Sequence, residues 1–102
     1  MNVIARSRLE AFWTHPLYQA AEQPLKAWCA EATRAHWRSP QDIKNQYGSA
    51  SIIGNNRVVF NIKGNSYRLI AAVAREYGAV YIKFIGTHKQ YDAVDAATVD
   101  ME

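Results

Sequence analysis

The chain has 102 residues, 49% hydrophobic and 12% aromatic, enough to build one core in one domain spanning 1–102. It contains no apolar run of about 18 residues that would predict a transmembrane helix, and its start, MNVIARSRLEAFW, is too short and too charged to read as a secretory signal. The single cysteine, Cys29, excludes an internal disulfide and fits a reducing cytoplasm, while the net charge of +3 is compatible with a polyanionic partner.

In chain order, Leu9, Phe12 and Trp13 fall at i, i+3 and i+4, which predicts a helix from about Ala5 to Thr14, ended by His15-Pro16. Leu25, Trp28, Cys29 and Ala32 repeat that spacing and predict a second helix through about Trp37, with Pro24 in its first turn. Ser39-Pro40-Gln41-Asp42 reads as an N-cap, a first-position proline and a first-turn carboxylate, opening a short helix to Tyr47 that stops at Gly48. The period then changes to two. Ala50–Ile53 is a short candidate strand. In Arg57–Ile62, the residues Val58, Phe60 and Ile62 alternate with Arg57, Val59 and Asn61. Lys63-Gly64-Asn65 is a hairpin signal. Ser66–Arg75 is apolar on both faces at its centre, as a covered central strand should be. Glu76-Tyr77-Gly78 turns the chain into Ala79–Gly86, with Val80, Ile82 and Phe84 expected on one face and Tyr81 and Lys83 on the other. Helices followed by strands give an α+β class, with N-terminal helices on one face of a three- to four-stranded antiparallel sheet and the other face left open.

Charge follows this division. Residues 1–56 carry six cations and four anions, 57–92 six cations against two anions, and the tail from Ala93 only Asp95, Asp100 and Glu102. The sheet half is therefore the basic half. Directly after its last strand comes Thr87-His88-Lys89-Gln90-Tyr91-Asp92. His88 is the histidine placed for proton transfer, because an imidazole titrates near neutrality. His15, at a helix break, and His36, expected at a helix end, read as surface groups. Arg68 sits inside an apolar strand and is a candidate guanidinium fork for phosphate. Arg57 and Lys83 would share its face if the hairpin registers allow. Tyr91 offers a hydroxyl to a phosphate or a leaving oxygen, or an anchor for the C-terminal segment. Asp92 is expected to cap a short helix over 92–97. There is no second cysteine, no His-x-x-x-His pair, no glycine-rich phosphate loop and no GxSxG. No metal or cofactor is expected, and any catalysis would rest on His, Arg, Lys and Tyr.

RVVFNIKGNSYRLIAAV at 57–73 and IKFIGTHKQYD at 82–92 resemble the HigB toxins, within the RelE/ParE-like toxins of bacterial toxin–antitoxin systems. Trp37-Arg38-Ser39-Pro40 and Asp42-Ile43-Lys44 extend the likeness upstream. The motifs FNIKGN-x-YR and THK-x-YD place Asn61, Gly64, Asn65, Arg68, His88, Tyr91 and Asp92 on family positions. Gln90 stands where a glutamate or another charged residue is usual, with little consequence expected of a solvent-facing side chain. The resemblance implies a RelE-like fold and a small cytoplasmic mRNA interferase. Its partners would be mRNA on the 70S ribosome and a cognate antitoxin with a helix-turn-helix DNA-binding domain. The implied reaction is attack of the ribose 2′-OH on the adjacent phosphorus. His88 is assigned to acid–base work, Arg68 to the phosphate and Tyr91 to a second proton or hydrogen bond. Arg57, Lys63, Asn65, Lys83 and Lys89 are assigned to RNA, with Lys83 and Lys89 in reserve as bases. Two other readings stay open: a toxin-fold protein with a different target such as gyrase, and a non-catalytic RNA-binding domain using Tyr67 and Tyr81.

Overall fold

The computed structural model describes residues 1–101. In chain order it runs β1 (Asn2–Ile4), α1 (Arg6–Trp13), a 3₁₀ turn (Gln19–Ala21), α2 (Glu22–Arg34), α3 (Pro40–Gln46), β2 (Ser51–Ile52), β3 (Arg57–Ile62), β4 (Tyr67–Ala74), a second 3₁₀ turn (Arg75–Tyr77), β5 (Ala79–Thr87) and α4 (His88–Asp92). The sheet has five strands in the order β1-β5-β4-β3-β2. β2 to β5 are antiparallel neighbours as expected, while β1 pairs parallel with β5, Asn2 opposite Ala79 and Ile4 opposite Tyr81. The added strand makes the sheet mixed. Three residues are too few to display an alternation, so β1 owes its existence to the open edge of β5.

The helices lie on one face. Leu9 and Trp13 of α1, Leu25, Trp28, Cys29 and Ala32 of α2, and Ile43 of α3 bury their apolar sides against Val58, Phe60, Leu69, Ala71, Val80 and Ile82. Edge-to-face packing of Trp28 on Phe60, ring centroids 5.2 Å apart, fixes the middle of this layer. α2 starts earlier than expected, with Pro24 still in its first turn, and stops at Arg34 rather than near Trp37 because Ala35 is extended. Trp37 is buried nonetheless, its indole N–H donating to Gln46 Oε1 at 2.9 Å. His36 thus lies beyond the helix and has no helix end to complement. Ser39 caps α3 as expected, accepting from the Asp42 N–H, with Pro40 at the first position.

β4 is covered on both faces, as its apolar centre predicts, but the second cover is the chain's own C-terminal segment. Between the pairs Ile70–Phe84 and Ala71–Ile82 the register shifts, leaving Lys83 as an extra residue in β5. The bulge turns Phe84 away from Val80 and Ile82, so it joins Val59 and Ile70 on the face opposite the helices. Ile85 takes the helix-facing place. Val94, Ala96 and Val99 of the C-terminal segment close over this second cluster. The face expected to be open is therefore partly roofed by the chain itself.

Candidate functional site

The β3–β4 hairpin turns through Lys63 and Gly64, both left-handed at φ 52° and 62°. That conformation is easy for glycine and uncommon for lysine. It presents Lys63, Gly64 and Asn65 to solvent. Arg68 follows on β4, on the face away from the helices, between Asn61 of β3 and Gly86 of β5. Its guanidinium donates to Asn65 at both the main-chain oxygen and Oδ1, each at 3.2 Å. Gly86 has no room for a side chain: an added Cβ would lie 2.6 Å from the Phe84 ring and 2.8 Å from Gln90 Oε1.

β5 passes directly into α4. Thr87 is the N-cap, its hydroxyl accepting from the Gln90 N–H at 3.1 Å while Gln90 Oε1 accepts from the Thr87 N–H at 2.9 Å. This reciprocal box allows a helix of five residues to hold its place. Gln90 is solvent-exposed as expected, yet its side chain is engaged at both ends, its amide also donating to the Tyr18 hydroxyl at 3.1 Å. The His88 N–H donates to the Ser66 carbonyl at 3.3 Å and ties α4 to the hairpin turn. On α4, His88 and Asp92 face each other at i, i+4, with Nε2 3.7 Å from Oδ1. Asp92 does not cap a helix over 92–97. It ends α4 instead, and Asp95 holds the following turn by accepting from the Ala97 N–H. The Arg68 guanidinium lies 5.9 Å from the Tyr91 ring centroid, within cation–π reach.

One end of the sheet thus gathers Arg68, Asn65, Tyr91, His88 and Asp92, flanked by exposed Lys63 and Lys89. Arg57 and Lys83 do share the Arg68 face, but neither joins this group. Arg57 is 8% exposed. Its guanidinium donates to the carbonyls of Val99 and, at 3.1 Å, of Ala96. An arginine so engaged pins the C-terminal segment rather than standing beside Arg68. Lys83 lies three residues before Gly86, about 10 Å along the strand, where its ammonium meets Asp100 at 3.2 Å.

Residues 21–94 match a family model described as HigB_toxin, the RelE-like toxic component of a toxin-antitoxin system. The chain belongs to the HigB toxin family. Among curated proteins no match is found. Membership makes this chain the toxin of a toxin–antitoxin pair and implies an antitoxin partner. The HigB match contains Arg68, His88 and Tyr91, and it leaves β1, α1 and residues 95–101 outside. Among the described residues, no helix is long and apolar enough to cross a membrane.

Proposed function

We propose that this HigB-family toxin is a metal-independent endoribonuclease that cuts messenger RNA on the translating ribosome. The observation that carries the reading is the meeting of a fixed guanidinium, a phenol and a histidine–carboxylate pair at one exposed end of the sheet. These groups match the needs of RNA cleavage through the 2′-OH. A base removes the 2′ proton, the new P–O2′ bond forms, the P–O5′ bond breaks, and an acid protonates the departing 5′ oxygen. The products are a 2′,3′-cyclic phosphate and a 5′-OH. Dependence on the 2′-OH distinguishes RNA from DNA without reading a base.

His88 moves a proton, and Asp92 orients its ring. Arg68, preset by Asn65, receives the charge that builds on the non-bridging oxygens, a contribution often the largest single one when the donor is preorganised. Tyr91, under the guanidinium, supplies the second proton or a hydrogen bond. Lys63 and Lys89 draw the polyanion toward this end of the sheet, and such exposed cations serve binding more than chemistry. The cytoplasm, where ribosomes work, is then the site of action, and the antitoxin is expected to carry a helix-turn-helix domain for control of its own operon.

Induced expression of the toxin alone, followed by mapping of messenger RNA ends, tests this. Growth should stop, and new 5′-OH ends facing 2′,3′-cyclic phosphates should appear within translated regions. Arrest with intact messenger RNA overturns the nuclease reading. Cleavage that persists equally in untranslated RNA overturns the ribosome dependence.

A further inference from the structure

Away from the cleavage end, Asp100 stands between two cations from different elements. One carboxylate oxygen is 2.9 Å from Arg8 Nη1 on α1, the other 3.2 Å from Lys83 Nζ at the β5 bulge. The two hydrogen bonds hold the carboxyl below its ordinary pKa. Arg8 is itself anchored by donating to the Ile82 carbonyl at 2.8 Å, and the Met101 N–H donates to the Lys83 carbonyl at 2.9 Å. Beside this clamp lies a pocket of about 220 Å³ lined by Arg8, Ala11, Phe12, His15, Tyr18 and Met101. Phe12 and Tyr18 stack at 4.5 Å, and His15 tilts against Tyr18 at 4.8 Å. The Tyr18 hydroxyl is bonded to Gln90 of α4, so the pocket adjoins the helix that carries His88.

An anion bridged by two cations, next to stacked aromatic rings, is the pattern that binds one nucleotide of a single strand: phosphate on the clamp, base on the rings. The occupant now is an acidic residue followed by a flexible apolar one. We infer that the Arg8–Lys83 clamp and the aromatic pocket form a nucleotide subsite for single-stranded RNA, which the chain's own Asp100–Met101 fills until RNA displaces it. The inference rests on the RNA reading above and extends it to residues outside the cleavage end. Arg57 and Asn55, which hold the carbonyls of Ala96, Ala97 and Val99, keep the rest of the segment in place. Only the last two described residues need to lift.

The test uses the full-length toxin and a fluorescein-labelled 2′-O-methyl RNA 12-mer, which lacks the nucleophile and so reports binding alone. Asp100→Asn should bind it on the order of three- to tenfold more tightly than wild type. Its log Kd against log salt should be steeper by about 0.7 for each cation released. Adding Lys83→Gln should remove the gain, and His15→Ala should weaken the Asp100→Asn protein without altering the salt slope. Circular dichroism confirms that each variant is folded. Asp100→Asn with unchanged affinity and slope, while wild-type toxin still binds and cleaves RNA, overturns the subsite and leaves the nuclease reading standing. Failure of every variant and of wild type to bind or cleave RNA overturns both.

Discussion

Two arginines of neighbouring strands, both facing away from the helices, have opposite employment. Arg68 keeps a partly exposed guanidinium whose hydrogen-bond partners are Asn65 and the adjacent Tyr67 carbonyl. Arg57 is buried and donates from Nη1 to carbonyls about forty residues further along the chain. Arg68→Ala should lower cleavage by roughly 10²–10³, the loss typical of one preorganised charge-stabilising donor, with an unchanged melting curve. Arg57→Met should do the reverse. Its loss leaves two carbonyls unpaired and should cost about 1–3 kcal/mol, read as a lower urea midpoint, while cleavage by the remaining folded protein stays near wild type. His88→Gln should slow cleavage roughly 10²–10⁴-fold. Full activity in that variant would move the proton transfer to another group. Sequence separated Arg68 from the apolar strand around it, because a charge among Leu69, Ile70 and Ala71 needs a reason. It could not separate Arg57 from Arg68, because the burial of Arg57 is decided by a segment without any periodic pattern.

The elements themselves were largely legible. Alternation located β3 and β5, a run apolar on both faces located β4, the 3–4 spacing located α1 and α2, and Ser39-Pro40 located α3. The face of Phe84 was not, since a bulge preserves the alternating pattern in the sequence while inverting it in space. The box at Thr87 and Gln90 was available as a Thr-x-x-Gln signature, and reading Gln90 as a mere surface residue overlooked it. That box positions the helix bearing His88, Tyr91 and Asp92, so its rupture should act through geometry. Gln90→Leu removes the side-chain acceptor for the Thr87 N–H and the bond to Tyr18. It should cost about 1 kcal/mol, as a lost cap does, and reduce cleavage. Gln90→Glu retains the carbonyl-type acceptor, so it should recover stability and most of the cleavage rate. Equal activity in the two variants would show that α4 holds its place without the box.

At the scale of the whole molecule, the pairing of Asn2–Ile4 with Ala79–Tyr81 joins β1 to the strand that immediately precedes the candidate site. A toxin emerging from the ribosome has no partner for those residues until residue 81 has been made, and β4, the central strand, lacks its β5 neighbour until then too. Contacts so distant along the chain form late, after the loop between them has been closed. Nascent chains stalled at residue 78 should therefore be digested readily by protease, whereas chains released after α4 should resist. Equal resistance at both lengths would mean that the sheet assembles without β5. The timing has a biological edge. Arg68 is synthesised well before β5 can brace it, so, on the nuclease function proposed above, a ribosome making this protein meets no assembled site until β5 has been made. On that reading a nascent copy stays harmless while β5 is unmade, and the antitoxin has to intervene only once that strand has joined the sheet.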